Sequence, residues 1–335
     1  MAETLLSVEH LSTVFSLRGR SLFSPNVDLK AVSDVSFSLE KGETLGIVGE
    51  SGCGKSTLGR SILRLIEPTD GRIVWQGKSL TELSDTEMRK ARRDLSIIFQ
   101  DPVASLDPRM NVGQIIAEPL KVAEPSLSRK ERRERVEKVM EEVGLAPEMI
   151  NRYPHEFSGG QAQRIGIARA IVTEPKLIVC DEPVSALDVS IQAQIVNLLK
   201  ALKQRMGLTL IFISHDLSVV RLVSDRILVL YLGRVVEIGP RREVFQNPGH
   251  PYTRALLAAA PIPDPKIARL REKTPLKGDP PSPIDPPSGC AFRTRCPIAR
   301  DVCAEELPPL AQVGAGHRAA CLFWEEVRAD PAIPG

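Results

Sequence analysis

The residues Gly49-Glu50-Ser51-Gly52-Cys53-Gly54-Lys55-Ser56-Thr57 fit the phosphate-binding pattern G-x-x-x-x-G-K-[ST]. Glycines at 49, 52 and 54 let the backbone curve tightly, so that successive N–H groups point at phosphate oxygens. Lys55 is placed to pair with β- and γ-phosphates, and Ser56 to ligate Mg²⁺. Much further along come Phe157-Ser158-Gly159-Gly160-Gln161 and then Leu177-Ile178-Val179-Cys180-Asp181-Glu182. Asp181 suits Mg²⁺, directly or through water, and Glu182 suits a general base that polarises an attacking water. An acidic strand end alone reads as a solvated terminus; after a phosphate loop it reads as chemistry.

These groups need elements to aim them. Thr44–Val48 is a short apolar run that reads as a buried strand, and Leu58, Ile62 and Leu65 recur at helical spacing until Pro68. The loop therefore lies between a strand and a helix, whose N-terminus adds a positive dipole end. Leu177–Cys180 is a second strand, delivering Asp181 and Glu182 to its C-terminal end, where open α/β sheets bind ligands. Thr209–Ile213 is a third and brings His215 to a strand end; a helix is expected from Gln161 through Ile171.

Ser128-Arg129-Lys130-Glu131 reads as a capping box, followed by Val136, Val139, Met140 and Val143 at helical spacing and a stop at Gly144. Ile191, Ile195, Leu198, Leu199 and Leu202 form another helical stripe, ending near Gly207, that reads as core packing. Leu5–Phe15 and Ala31–Leu39 suggest further β structure. Strands alternating with helices place the chain in the α/β class with a mainly parallel sheet.

The chain has 335 residues and a net charge of +2 with both signs dispersed, which offers no electrostatic reason to propose nucleic acid. The basic run Arg129–Arg135 is interrupted by acids and reads as the solvated face of an amphipathic helix. The N-terminus lacks the features of a signal peptide, and no apolar stretch approaches the roughly 20 residues that span a bilayer. A soluble, cytoplasmic protein is expected, acting at a membrane only through a partner.

From Pro261 to Pro287 the chain holds nine of its 27 prolines, so 261–287 reads as an extended connector. Beyond it, in 288–335, lie Cys290, Cys296, Cys303 and Cys321 with His317 nearby. Disulfides do not suit a reducing cytoplasm. A zinc site, an iron–sulfur cluster and unligated thiols all remain open on this chemistry, since the short C-x(2–4)-C pairs usual for zinc are absent.

Ser158-Gly159-Gly160-Gln161 resembles the signature sequence of ATP-binding-cassette (ABC) ATPases, and other motifs of that family follow in order. Gln100, after Leu95-Ser96-Ile97-Ile98-Phe99, resembles the Q-loop; Ser185-Ala186-Leu187-Asp188 resembles the D-loop; His215 resembles the switch histidine. The resemblance covers roughly residues 5 to 260. It implies an ATPase domain over 1–260 with a parallel core sheet, an N-terminal antiparallel β subdomain and a helical signature subdomain at about 101–172. It also implies a head-to-tail dimer sandwiching two ATP molecules, each between the phosphate loop of one subunit and the signature of the other. Ser158, the glycine amides and the following helix then meet the γ-phosphate, His215 touches it, and Gln100 contacts Mg²⁺ or water. Phe15 matches the family's adenine-stacking position, with Phe23 a competing aromatic. In ABC importers the helical subdomain receives a cytoplasmic loop of the membrane subunit.

A narrower resemblance lies in Asn247-Pro248-Gly249-His250-Pro251-Tyr252-Thr253, in Gly289-Cys290-Ala291-Phe292-Arg293-Thr294-Arg295-Cys296-Pro297, and in the run from Cys180 to Gln194. These look like dipeptide/oligopeptide permease ATPases, most like the F-type of their two nonidentical subunits. The resemblance implies ATP-driven uptake of dipeptides or oligopeptides, a second nonidentical ATPase subunit, two transmembrane permease subunits, and an extracytoplasmic peptide-binding protein as an indirect partner. It implies a peripheral position on the cytoplasmic face of the cell membrane. Some relatives carry a [4Fe-4S] cluster on these four cysteines, which favours the cluster, with zinc the alternative. Nickel, glutathione and oligosaccharide are the competing cargoes. A soluble ABC ATPase of DNA repair or translation is a distant rival, for which long coiled coils, zinc inserts or a second cassette would be expected. One departure is Ala162, where many relatives have arginine, a change expected to alter local charge.

Overall fold

Three parallel strands organise the first of two compact units, Met1–Glu3, Glu40–Thr44 and Glu82–Ile213; two of them are buried throughout and read as apolar runs, while the third is half-buried at Ser96 and Ile97. The structure is a computed structural model and describes residues 3–18, 26–259 and 278–329. Phe23 and residues 260–277 and 330–335 of the connector and cysteine region lie outside the described residues. In the first unit Leu95–Ile98, Leu177–Asp181 and Thr209–Ile213 run parallel, with Ile98 opposite Cys180 and Asp181 opposite Ile213.

The helical part of this unit follows its local signals. Ser128 and Glu131 form the expected capping box at the start of Arg129–Glu142, and Val136, Val139 and Met140 are buried. Arg133 and Glu137 pair at 2.7 Å along the solvated face. Gly144, at φ +75°, follows the helix end. A second capping box, Asn111 with Gln114, opens Val112–Ala123. Gly159–Ile171 and Val189–Met206 are two further helices of this unit.

The second unit comprises Thr4–Leu39, Leu45–Thr81 and Ser214–Gly335. Its antiparallel sheet runs in the order Val27–Glu40, Thr4–Leu17, Asp70–Trp75, Lys78–Ser79. Thr44–Val48 runs parallel to Arg226–Tyr231, with Leu45 opposite Arg226. Arg234–Pro240 turns back antiparallel to Arg226–Tyr231, and the cysteine-rich segment adds His317–Ala319 to its other side. The C-terminal cysteines thus share a unit with the phosphate loop.

One expectation changes. The helix after the phosphate loop, Lys55–Ile62, stops before Leu65, which is 47% exposed. Arg64 adopts φ +48°, Leu65 N donates to Arg60 O, and Arg64 N donates to Ser61 O. This is the left-handed closure that ends many helices, and it overrides the apolar spacing.

Candidate nucleotide site and cysteine cavity

The phosphate loop leaves the strand Thr44–Val48 at Gly49, whose φ of +155° and close approach to the Leu230 carbonyl exclude a side chain. Gly54, at φ +103°, abuts the Ala31 carbonyl in the same way. Ser51 and Gly52 are exposed at the tip, while Ser56 and Thr57 are half-buried in the first helical turn. Lys55 is 3% exposed, and its Nζ donates to Gly49 O at 2.9 Å and Glu50 O at 2.8 Å. Its ammonium thus stays inside the loop's own curve. Burial raises the Cys53 thiol.

Residues far along the chain hold this loop, and motif reading missed them. Glu50 N donates to Tyr252 Oη at 2.7 Å, and the Glu50 carboxylate accepts two bonds from Arg295, at 2.7 and 2.9 Å. Phe292 packs edge-on to Tyr231 with centroids 5.3 Å apart, and lies 5.4 Å from Tyr252. His215 is exposed after Ser214, whose amide donates to Ile47 O at 3.2 Å. Asp216 caps the helix Leu217–Val223 by accepting from Ser218 N at 2.8 Å. Phe15 is half-buried on Thr4–Leu17.

In the first unit the strand Leu177–Asp181 ends on a fully buried Asp181. Glu182 follows at φ +47°, a region costly for a residue with a Cβ, held because its amide donates to Ile213 O at 3.0 Å. Gln100 Nε2 donates to Glu182 Oε2 at 3.0 Å. The half-buried carboxylate and the exposed amide therefore meet within one unit. Nothing in the local sequence signals this left-handed turn.

The signature segment opens Gly159–Ile171. Ser158 and Gln161 form a capping box: Ser158 Oγ accepts from Gln161 N at 3.4 Å and Ser158 N donates to Gln161 Oε1 at 3.1 Å. Gly159 is exposed, whereas a Cβ on Gly160 would come within 2.7 Å of Ile191 Cγ2. Ala162 is fully buried in the first turns of this helix. Arg169 of this helix donates to Ser105 O at 2.6 Å and lies 5.7 Å from the Phe99 ring, tying the helix to the segments flanking Gln100. Burial lowers its guanidinium. Asp188 is exposed at the start of Val189–Met206 without capping it, and Val189 is 82% exposed.

Cys290, Cys296, Cys303 and Cys321 line one cavity together with Phe292, Phe323 and His250. Burial, with a smaller contribution from neighbouring thiols, pushes Cys296 up to about 11 and Cys321 up to about 12. Soft thiol donors on a common cavity suit zinc or an iron–sulfur cluster. Among the described residues, however, no three His, Cys, Asp or Glu side chains form the ligand set of a single metal ion. Beside the cavity, Glu237 is fully buried and accepts from Gly249 N at 2.7 Å, His250 N at 3.0 Å and His317 Nε2 at 2.7 Å. Arg328 can only donate, so His317 Nδ1 accepts from it at 2.7 Å and Nε2–H faces the carboxylate. Burial pushes the His250 imidazole down to about 3, which leaves its Nδ1 free to accept from Tyr252 N at 3.1 Å.

The family model described as "ABC transporter" matches residues 32–185, and "Oligopeptide/dipeptide transporter, C-terminal region" matches 236–303. The Oligopeptide transport ATP-binding protein OppF of Haemophilus influenzae is 58% identical over 96% of this chain and 97% of its own length. The protein of the same name from Escherichia coli is 57% identical over 96% of each. Among solved structures, the dimeric post-hydrolysis ATP-binding cassette MJ0796 bound to ADP and Pi superposes with a TM-score of 0.64 at 30% identity, covering 71% of this chain and 99% of that one. The cbiO1 protein from Clostridium perfringens, part of the ABC transporter complex cbiONQ, gives 0.61 at 30% identity over 72% and 91%.

Proposed function

Because this chain belongs to the oligopeptide-transport family of ABC ATPases, we propose that it is the ATP-hydrolysing subunit of an importer of dipeptides or oligopeptides. Lys55 and the phosphate-loop amides bind the β- and γ-phosphates, and Ser56, Asp181 and Gln100 hold Mg²⁺, which offsets phosphate charge when bound. Glu182 takes a proton from the attacking water, and His215 contacts the γ-phosphate. Phe15 stacks on adenine. The observation that carries the hydrolytic reading is Glu182, in a left-handed conformation and hydrogen-bonded to Gln100. A carboxylate kept in a costly backbone state suits a positioned base more than a solvated terminus.

Ser158, Gly159, Gly160 and Gln161 act on the nucleotide of a second, nonidentical ATPase subunit, with Asp188 and exposed Val189 at the same contact. The helical segment 101–172 receives a cytoplasmic loop of a membrane subunit, one of two transmembrane permease subunits to which an extracytoplasmic binding protein delivers cargo. No helix among the described residues is long and apolar enough to cross a membrane. The chain sits peripherally on the cytoplasmic face of the cell membrane. The four cysteines hold a [4Fe-4S] cluster, a reading supported by four thiols on one cavity. Its role is structural, bracing the segment 290–321, or that of a docking element.

The test is reconstitution of the chain with its copurified membrane and ATPase partners in vesicles. ATP-driven accumulation of a labelled oligopeptide is expected. Accumulation of nickel, glutathione or an oligosaccharide with no peptide uptake would replace the cargo. Full ATP turnover by Glu182→Gln in that assembly would remove the base assignment.

A further inference from the structure

An acid inside a loop that must bind a polyanion is electrostatically out of place, and Glu50 is such an acid. Its carboxylate does not stand alone. Arg295, whose side chain is 4% exposed, grips it with two bonds, while Glu50 itself is 25% exposed. The pair is separated by 245 positions, so no motif of the phosphate loop contains it. Every other polar group of the residue's backbone is also engaged: the amide by Tyr252 Oη and the carbonyl by Lys55 Nζ. Phe292, three residues before Arg295, wedges against Tyr231 and Tyr252 and so carries the cysteine segment onto this point. A bidentate guanidinium–carboxylate pair fixes both charge and direction.

We propose that Arg295 is a positioning residue for ATP binding: it neutralises Glu50 and aims its carboxylate away from the phosphates, so that nucleotide affinity depends on the C-terminal cysteine segment. The inference rests on ATP occupying the phosphate loop. Loss of Arg295 leaves an unpaired carboxylate beside the incoming triphosphate. Glu50 then opposes binding, and removing its charge as well relieves the opposition. A purely structural Arg295 would behave differently, because neutralising Glu50 would restore nothing.

The experiment measures the dissociation constant for MgATP by calorimetry on the full chain. Arg295→Gln is expected to weaken binding about tenfold, and the double variant Glu50→Gln/Arg295→Gln to recover at least half of that loss on a logarithmic scale. Arg295→Lys, which keeps the charge but not the second bond, is expected within about threefold of the parent and serves if Arg295→Gln does not fold. Unchanged affinity in Arg295→Gln, or a double variant as weak as the single one, would overturn the proposal. Lys55→Ala separates the two readings: it is expected to lose ATP binding, and if it bound ATP as the parent does, the phosphate-loop assignment itself would fall and the inference with it.

Discussion

Gln100 Nε2 and Glu182 Oε2 lie 3.0 Å apart, joining the end of one parallel strand to the residue after its neighbour. The amide donates to this oxygen and so orients the carboxylate. Gln100→Ala should therefore reduce kcat for ATP about tenfold while leaving KM within about twofold, because the contact acts on the base more than on nucleotide binding. Steady-state ATPase of the assembled transporter reads both constants. A rise in KM with kcat intact would mean that Gln100 serves binding only.

The two signature glycines should separate stability from turnover. A Cβ on Gly159 would meet its nearest neighbour, Leu187 Cδ2, at an ordinary 3.6 Å, whereas one on Gly160 would strike Ile191. Gly159→Ala should change unfolding free energy by less than about 0.5 kcal/mol yet lower ATPase of the heteromeric assembly, where a backbone must approach phosphate closely. Gly160→Ala should cost about 1–3 kcal/mol through overpacking. Urea unfolding and ATPase assays on both variants decide it; equal stability losses would contradict the packing difference.

His317 supplies one of three donors to a carboxylate with no access to water. His317→Ala should destabilise the fold by about 1–3 kcal/mol, since Glu237 stays buried with one donor fewer. His317→Gln, which can present an N–H in a similar place, should recover part of this. Chemical denaturation of the two variants is the measurement, and an alanine variant as stable as the parent would show that water replaces the imidazole.

Cys321 lies 18 positions after Cys303 in the sequence, yet both line the same cavity. Anaerobic purification should yield about four irons per chain with visible absorption, and Cys321→Ser should lose most of both. Metal analysis with the spectrum checks this. Stoichiometric zinc without iron would replace the cluster by a zinc site.

Much of the local architecture was legible because its determinants sit within a few residues of one another. The capping box of Ser128 and Glu131, the stop at Gly144 and the buried strand Thr44–Val48 all follow from nearest-neighbour chemistry. Leu65 misled because apolar spacing cannot see Arg64 entering the left-handed region.

Ordered motifs along the chain were enough to name the phosphate loop, the candidate base and the signature, since each is a contiguous run whose residue types carry the chemistry. Tertiary structure alone decided what holds them. The left-handed Glu182 depends on the carbonyl of Ile213, and the charge of Glu50 is answered by an arginine from the cysteine segment. The reason is physical: a hydrogen bond or ion pair is set by separation in space, and folding brings together residues whose sequence distance carries no trace of the contact.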